Sequence, residues 1–325
     1  MKYTIFGESH GPAIGVTLTG IPAGLELDWD FIRAEMARRA PGQNAMSTAR
    51  KEADEPQVLS GVFENKTTGA PLCAVIRNTD TRSKDYSKLK TCPRPSHGDY
   101  AGYVASQGCQ DYRGGGHFSG RLTAPLVFAG AVAKQILAQK GISVSAHISM
   151  VGGVAAPTPE QLEGVVLAAK ADLDSVGGTI SCSVTGLPVG LGSPDFGCNV
   201  EGVFAQYLFA VPAVKGVEFG AGFGFAHMRG SQANDSFYMD EDKVRTRTNH
   251  AGGINGGITN GMPVEFTVAI RPTPSIGREQ DTVDLSTGEN TKLVIEGRHD
   301  PCILPRAVVV IEAAAALAAC EVLGI

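Results

Sequence analysis

Two kinds of apolar run alternate along this chain. Short ones, such as Ala13-Ile14-Gly15-Val16-Thr17-Leu18-Thr19, are small or β-branched and predict strands. Two long ones, at 121–140 and 306–323, are rich in Ala and Leu on every side and predict helices without a polar face. Such a helix has no stripe to turn toward water, so it belongs in the middle of the molecule.

The pattern also repeats. Thr19-Gly20-Ile21-Pro22-Ala23-Gly24-Leu25 recurs as Thr185-Gly186-Leu187-Pro188-Val189-Gly190-Leu191. Each copy follows a strand-like run (15–18 and 180–184) and precedes a helical pattern (28–39 and 200–210). Thr68-Gly69-Ala70-Pro71-Leu72 then leads into 74–76, and Asn260-Gly261-Met262-Pro263-Val264 leads into 266–270. A long apolar helix closes each half. One shared turn arises by chance, but three matching elements in one order predict a duplicated unit. The expected fold is α+β: a central layer of apolar helices sandwiched between antiparallel β-sheets. One domain would cover 1–325, with repeats at about 1–140 and 177–325 and a variable segment 141–176 carrying a helix near 159–172.

Composition narrows the function. A net charge of −5 argues against a general nucleic-acid binder. The 41 glycines call for many tight loops and close backbone approaches. Seven cysteines (73, 92, 109, 182, 198, 302, 320) form no CxxC pair, which fits reduced thiols in the cytoplasm. The start shows no signal-peptide pattern, and Glu312 and Glu321 interrupt the closing apolar run, so a buried helix is expected there and no membrane span. No metal-ligand spacing is present.

Gly7-Glu8-Ser9-His10-Gly11 reads literally as G-x-S-x-G, but a nucleophile elbow needs a helix after it, and here a strand follows. Ser9 and His10 are then turn residues with a hydroxyl and an imidazole side by side. Arginine gathers beside Gly and Pro turns: Arg38, Arg39, Arg94, Arg113, Arg121, Arg298 and Arg306. One such Arg is ordinarily a solvated charge, whereas a group of them suggests a polyanionic ligand. The glycine-rich run 114–120 leads into a helix and offers backbone N–H groups to an anion. A second cluster, 252–257, lacks the setting of a dinucleotide fingerprint. His10, His97 and Asp300 are the acid–base candidates, since a His near its ordinary pKa of ~6.5 exchanges protons at neutral pH. His147, His227 and His250 read as ordinary loop or surface residues.

Three long segments, in order, carry a resemblance: Gly7-Glu8-Ser9-His10-Gly11-Pro12 through Gly20-Ile21-Pro22; Asp111-Tyr112-Arg113-Gly114-Gly115-Gly116-His117-Phe118-Ser119-Gly120-Arg121; and Gly297-Arg298-His299-Asp300-Pro301-Cys302. They resemble the three signatures of the chorismate synthase family, and Arg94-Pro95-Ser96-His97-Gly98-Asp99-Tyr100 and Asn249-His250-Ala251-Gly252-Gly253-Ile254 match it as well. The resemblance implies a 1,4-elimination of phosphate from 5-enolpyruvylshikimate 3-phosphate to chorismate, the last step of the shikimate pathway. It implies reduced FMN as cofactor, a homotetramer, and either NADPH or an external flavin reductase as the source of reduction. By resemblance, His10 protonates the leaving phosphate with Ser9 beside it, His97 serves the flavin N1–C2 edge, and Asp300 serves N5. Flavin contacts carry over to His117, Phe118, Ser119, Ala233, Asn234, Gly257, Arg271, Pro272, Thr273, Pro274, Ser275 and Arg298, and substrate or NADP contacts to Arg39, Arg94 and Arg121. Two departures stand out: Gln43-Asn44-Ala45-Met46 lacks an expected Arg, with Arg50 and Lys51 as possible substitutes, and Phe118 replaces a hydroxyl. A flavin reductase or oxidoreductase on the same scaffold is the alternative reading.

Overall fold

The structure is a computed structural model that describes residues 1–42, 46, 52, 54–79, 88–295 and 300–325. The first part of the chain holds β1 (Lys2–Gly7), β2 (Ala13–Thr19), α1 (Trp29–Arg39), β3 (Pro56–Ser60), the short hairpin β4 (Val62–Phe63) and β5 (Lys66–Thr67), β6 (Leu72–Arg77), α2 (Asp99–Ala105) and α3 (Thr123–Ala138). Next come β7 (Ser143–Val151), β8 (Val154–Ala155), α4 (Pro159–Ala171), β9 (Gly178–Thr185), α5 (Val200–Phe209), β10 (Val214–Phe219) and α6 (Gly230–Ala233). Hairpins β11 (Phe237–Asp240)/β12 (Lys243–Thr246) and β13 (Ile254–Asn255)/β14 (Ile258–Thr259) precede β15 (Val264–Ile270). The hairpin β16 (Gln280–Asp284)/β17 (Glu289–Leu293) and α7 (Leu304–Val322) complete the chain.

Caps set the helix starts. The Asp28 carboxylate accepts from Phe31 N at 2.9 Å ahead of α1, and Asn199 accepts from Gly202 N at 2.7 Å ahead of α5. Thr158 and Gln161 form a reciprocal capping box at α4.

Two antiparallel sheets run in the orders β1-β2-β6-β3 and β10-β15-β9-β7-β8. Read from β7, the second is β7-β9-β15-β10, the same arrangement as the first. Between the sheets lie α3, against β1, β2 and β6, and α7, against β7 and β9. The helices touch closely: a Cβ at Gly130 of α3 would collide with Ala313 of α7. Ala313 through Cys320 are all buried, and so are Phe128 and Leu137 across from them. Each fully buried large apolar side chain contributes about 1.5–3 kcal/mol. The expected layers, and helices without a polar face, are what form.

One charge interrupts the apolar layer. Glu312, midway along α7, bonds Arg38 at 2.7 and 2.9 Å, Lys134 at 2.6 Å and the Ala146 N–H at 3.1 Å. Burial alone would raise its carboxyl, but these partners hold it below the ordinary value. The cluster ties α1, α3, α7 and β7 together. Arg38 therefore serves the core, where the sequence had grouped it with anion-binding arginines. Among the described residues no helix is long and apolar enough to cross a membrane, and all seven cysteines are free thiols.

Candidate active site

A cleft of ≈ 280 Å³ opens where the two central helices begin. Thr123 starts α3 and Ile303, Arg306 and Ala307 start α7, and all four line it. The positive ends of both helix dipoles therefore face one space, which favours anions. Ser9, Arg39, Arg94, His97, Phe118, Ser119 and Arg121 come from the first half; Arg271, Thr273, Pro274, Ser275, Asp300 and Arg306 come from the second.

The glycine loop 114–116 explains why no side chain intrudes. All three residues have positive φ (60°, 84° and 53°), which glycine adopts at little cost. A Cβ at Gly114 would collide with the His10 imidazole, and one at Gly115 would sit 2.9 Å from His97 Cε1 and 3.2 Å from Arg94 Nη2. The loop thus packs its bare backbone against both histidines. Ser9 N donates to Gly116 O at 3.1 Å, fixing the 7–11 turn to this loop. His10 lies buried beneath Gly114 and is not itself in the cleft wall, whereas Ser9 is. The strand β2 follows the turn, so the elbow geometry is absent.

Among the described residues, five arginines line the cleft: Arg39, Arg94, Arg121, Arg271 and Arg306. Arg39 donates to Asp54 at 2.5 Å, to Thr123 Oγ1 at 3.1 Å and to Gly120 O at 3.2 Å. Arg121 pairs with the other Asp54 oxygen and with Glu52 at 3.1 Å. Burial would raise the Asp54 carboxyl, but the two guanidiniums outweigh it and hold it low. Two buried polar atoms of the cleft wall, Ser9 Oγ and Arg121 Nη2, have no hydrogen-bond partner among the described residues. Asp300 is anchored to Arg306 at 2.7 Å, and its carbonyl accepts from Thr273 Oγ1 at 2.8 Å.

Arg94 and His97 share a carboxylate. Asp99, the first residue of α2, accepts from Arg94 Nε at 2.7 Å, Arg94 Nη2 at 2.8 Å and Arg94 N at 3.0 Å. Its Oδ1 lies 2.6 Å from His97 Nδ1. Burial would raise the Asp99 carboxyl, yet these bonds push it well below the carboxylate range. Burial lowers His97, with Asp99 partly opposing. Arg94 Nη1 reaches across to Ser275 Oγ at 3.1 Å, linking the halves of the molecule. The Phe118 ring lies over Gly98 and Gly102, where a side chain would clash with it.

The structure does not bring every sequence candidate here. Ala233, Asn234, Gly257, Pro272 and His117 are not in the cleft wall. Gly257, at φ +81° in the tight β13–β14 turn, packs on Asn199. His117 contacts Gly7 O at 2.9 Å through Nδ1. Arg113 chelates Asp111 at 2.8 Å and is not in the cleft wall. The second glycine cluster serves backbone packing: Gly252 lies against Gly220 and Glu265 O. His250 N and Ala251 N both donate to Asp235 at 2.8 Å, a loop tie. Arg298, Arg50, Lys51 and 43–45 fall outside the described residues. Arg306, grouped with the anion-binding arginines from the sequence, is in the cleft wall, whereas Asp54, and the role of Asp99 inside its motif, were not foreseen.

The family model described as chorismate synthase matches residues 1–323. The chorismate synthase of Chitinophaga pinensis is 49% identical over 317 residues, covering 98% of this chain and 92% of that protein. That of Dehalococcoides mccartyi strain BAV1 is 45% identical over 334 residues, covering 96% and 92%. That of Methanothermobacter thermautotrophicus is 46% identical over 339 residues, covering 97% and 90%. A crystal structure of chorismate synthase, 27% identical, matches with a TM-score of 0.74 over 99% of this chain and 91% of its own.

Proposed function

The chain belongs to the chorismate synthase family, and on that premise we propose that its arginine-lined cleft is where 5-enolpyruvylshikimate 3-phosphate loses phosphate to give chorismate. The observation that carries the reading is the convergence of Arg39, Arg94, Arg121, Arg271 and Arg306 on one cleft with Ser9 and His97. A substrate with one phosphate and two carboxylates calls for several guanidiniums, each able to bind an oxyanion through two parallel hydrogen bonds.

The residues fit a flavin mononucleotide as well. Ser9 Oγ and Arg121 Nη2 are buried donors without partners among the described residues, and Thr273 and Ser275 add hydroxyls beside the apolar Phe118, Val211 and Pro274. That mix suits an apolar ring system carrying polar edges and a phosphate. Reduced FMN, when bound, supplies the electron density that weakens the C–O bond to phosphate. Phe118, Ser119, Arg271, Thr273, Pro274 and Ser275 would hold it, together with Arg298 and with Ala233, Asn234, Gly257, Pro272 and His117 at greater remove.

The chain's own groups do the rest. Ser9 hydrogen-bonds the departing phosphate, and the neighbouring His10 delivers its proton. His97 holds or exchanges a proton at the flavin edge through its imidazole. Asp300, fixed by Arg306, would hold or exchange a proton at the flavin N5 edge, where the C6 hydrogen is received. Arg39 and Arg121 hold the substrate's anionic groups, and the helix starts add positive potential. The same reading makes the protein a cytoplasmic homotetramer whose flavin is reduced by a separate reductase, with NADPH as the direct alternative.

His10→Ala tests the proton donor. With chemically reduced FMN, kcat should fall about 10²–10⁴-fold, the usual worth of one acid–base group, while substrate binding is kept. Turnover at the wild-type rate removes His10 from the reaction.

A further inference from the structure

We propose that Asp99 is a positioning residue for the elimination: its carboxylate locks Arg94 and His97 into one unit and fixes the His97 tautomer, so that Nε2 is the nitrogen that exchanges a proton. The inference rests on the assignment of the cleft to that reaction.

Asp99 is absent from the cleft wall, so it acts only through its partners. Those partners, Arg94 and His97, are both in the wall. Three bonds run from Arg94 to Asp99, at 2.7, 2.8 and 3.0 Å, including one from the Arg94 backbone. The guanidinium therefore cannot swing without breaking a buried, charge-assisted set. The remaining approach is His97 Nδ1 to Asp99 Oδ1, at 2.6 Å. Arg94 Nη2 lies 3.1 Å from the same nitrogen. One nitrogen cannot both donate to a carboxylate and accept from a guanidinium. The shorter contact, between an N–H and an anion, decides: Nδ1 carries the proton and so accepts nothing from Arg94 Nη2, one of whose two N–H groups donates to Asp99 Oδ1. In neutral His97 the lone pair is then on Nε2, which faces Gly115, the residue whose missing side chain leaves that space open. A carboxylate behind an imidazole both selects its tautomer and stabilises its cation.

The charges facing His97 are Asp99 from α2, Arg94 from the preceding loop and Arg271 beyond β15; the facing loop 114–116 is all glycine. Burial and both arginines disfavour the imidazolium, and Asp99 alone favours it. Removing the Asp99 charge must therefore move His97 protonation to lower pH.

The test compares wild type, Asp99→Asn, Asp99→Glu, His97→Ala and the Asp99→Asn/His97→Ala pair as full chains. Chorismate formation with dithionite-reduced FMN is followed across pH, and so is the dissociation constant of reduced FMN by absorbance titration. Asp99→Asn should lower kcat roughly 10²-fold, the scale of one misoriented acid–base group, and shift the His97-dependent limb of both profiles to lower pH. Placed on His97→Ala it should add little. Asp99→Glu, which keeps the charge, should recover part of the rate and the limb, and it carries the test if Asp99→Asn does not fold. Asp99→Asn with the wild-type rate and limb, equal costs in both backgrounds, or Asp99→Glu no better than Asp99→Asn overturns the proposal. Wild-type protein that forms no chorismate contradicts the functional reading instead; reduced-FMN binding with the same pH dependence in wild type and Asp99→Asn contradicts this inference alone.

Discussion

At the scale of single residues, Asp54 and Asp99 tie the basic groups of the cleft together, Asp54 from outside every motif and Asp99 from within one. Asp54 sits at φ +52°, a conformation Asp and Asn tolerate better than most, and bridges two buried guanidiniums. Asp54→Asn keeps the shape and removes the charge, leaving Arg39 without its paired carboxylate and Arg121 with Glu52 alone. We expect a loss of about 3–5 kcal/mol, read as a lower urea midpoint at unchanged slope; an unchanged midpoint would show that the pair is not jointly buried. In sequence, Asp54 belongs to Lys51-Glu52-Ala53-Asp54-Glu55, which reads as a solvated charge run, and nothing local marks the acid that turns inward. Asp99 was nearer to legible. It closes Arg94-Pro95-Ser96-His97-Gly98-Asp99, where one acid follows two basic groups within a short turn.

At the scale of elements, the apolar pattern predicted most of what forms. The two runs read as helices at 121–140 and 306–323 are Thr123–Ala138 and Leu304–Val322. Arg121 falls in a single 3₁₀ turn just before α3, which is what aims it at the cleft. The strand β7 was legible but lay in the segment read as variable: Ser143, Ser145, His147 and Ser149 alternate with Val144, Ala146, Ile148 and Met150 at the period of a half-buried strand. Yet β7 holds in its sheet the place that β1 holds in the other. We therefore propose that the second unit starts at β7, inside the segment first read as a variable joint. The contact of α3 with α7 offers a test of the central layer. Gly130→Val would drive two methyls into Ala313 and should cost about 1–3 kcal/mol or more. A thermal midpoint at the wild-type value would mean the helices do not meet at that point.

At the scale of the molecule, the charges buried for shape and for chemistry give one shared pH signature. Asp54, Asp99 and Glu312 all have folded-state carboxyls held below the ordinary value. The unfolded chain therefore takes up protons first as pH falls. Their contribution is full above about pH 5 and is lost on going down through pH 4 and below. The thermal midpoint should decline slightly below about pH 6.5, where the unfolded His97 charges before the buried one, and drop steeply below about pH 5; a flat profile to pH 3 would contradict the buried ion pairs. The cleft itself was only partly legible, because its walls come from residues as far apart as Ser9 and Arg306, and proximity of that kind is written in the fold. The resemblance supplied the chemistry, and the two helix starts supplied the place. The most direct measurement is anaerobic: the protein, chemically reduced FMN and 5-enolpyruvylshikimate 3-phosphate, with chorismate, inorganic phosphate and flavin oxidation followed together. Chorismate and phosphate should appear in equal amounts, over many turnovers, with the flavin still reduced at the end. No chorismate, or flavin oxidised in step with product, would contradict the account.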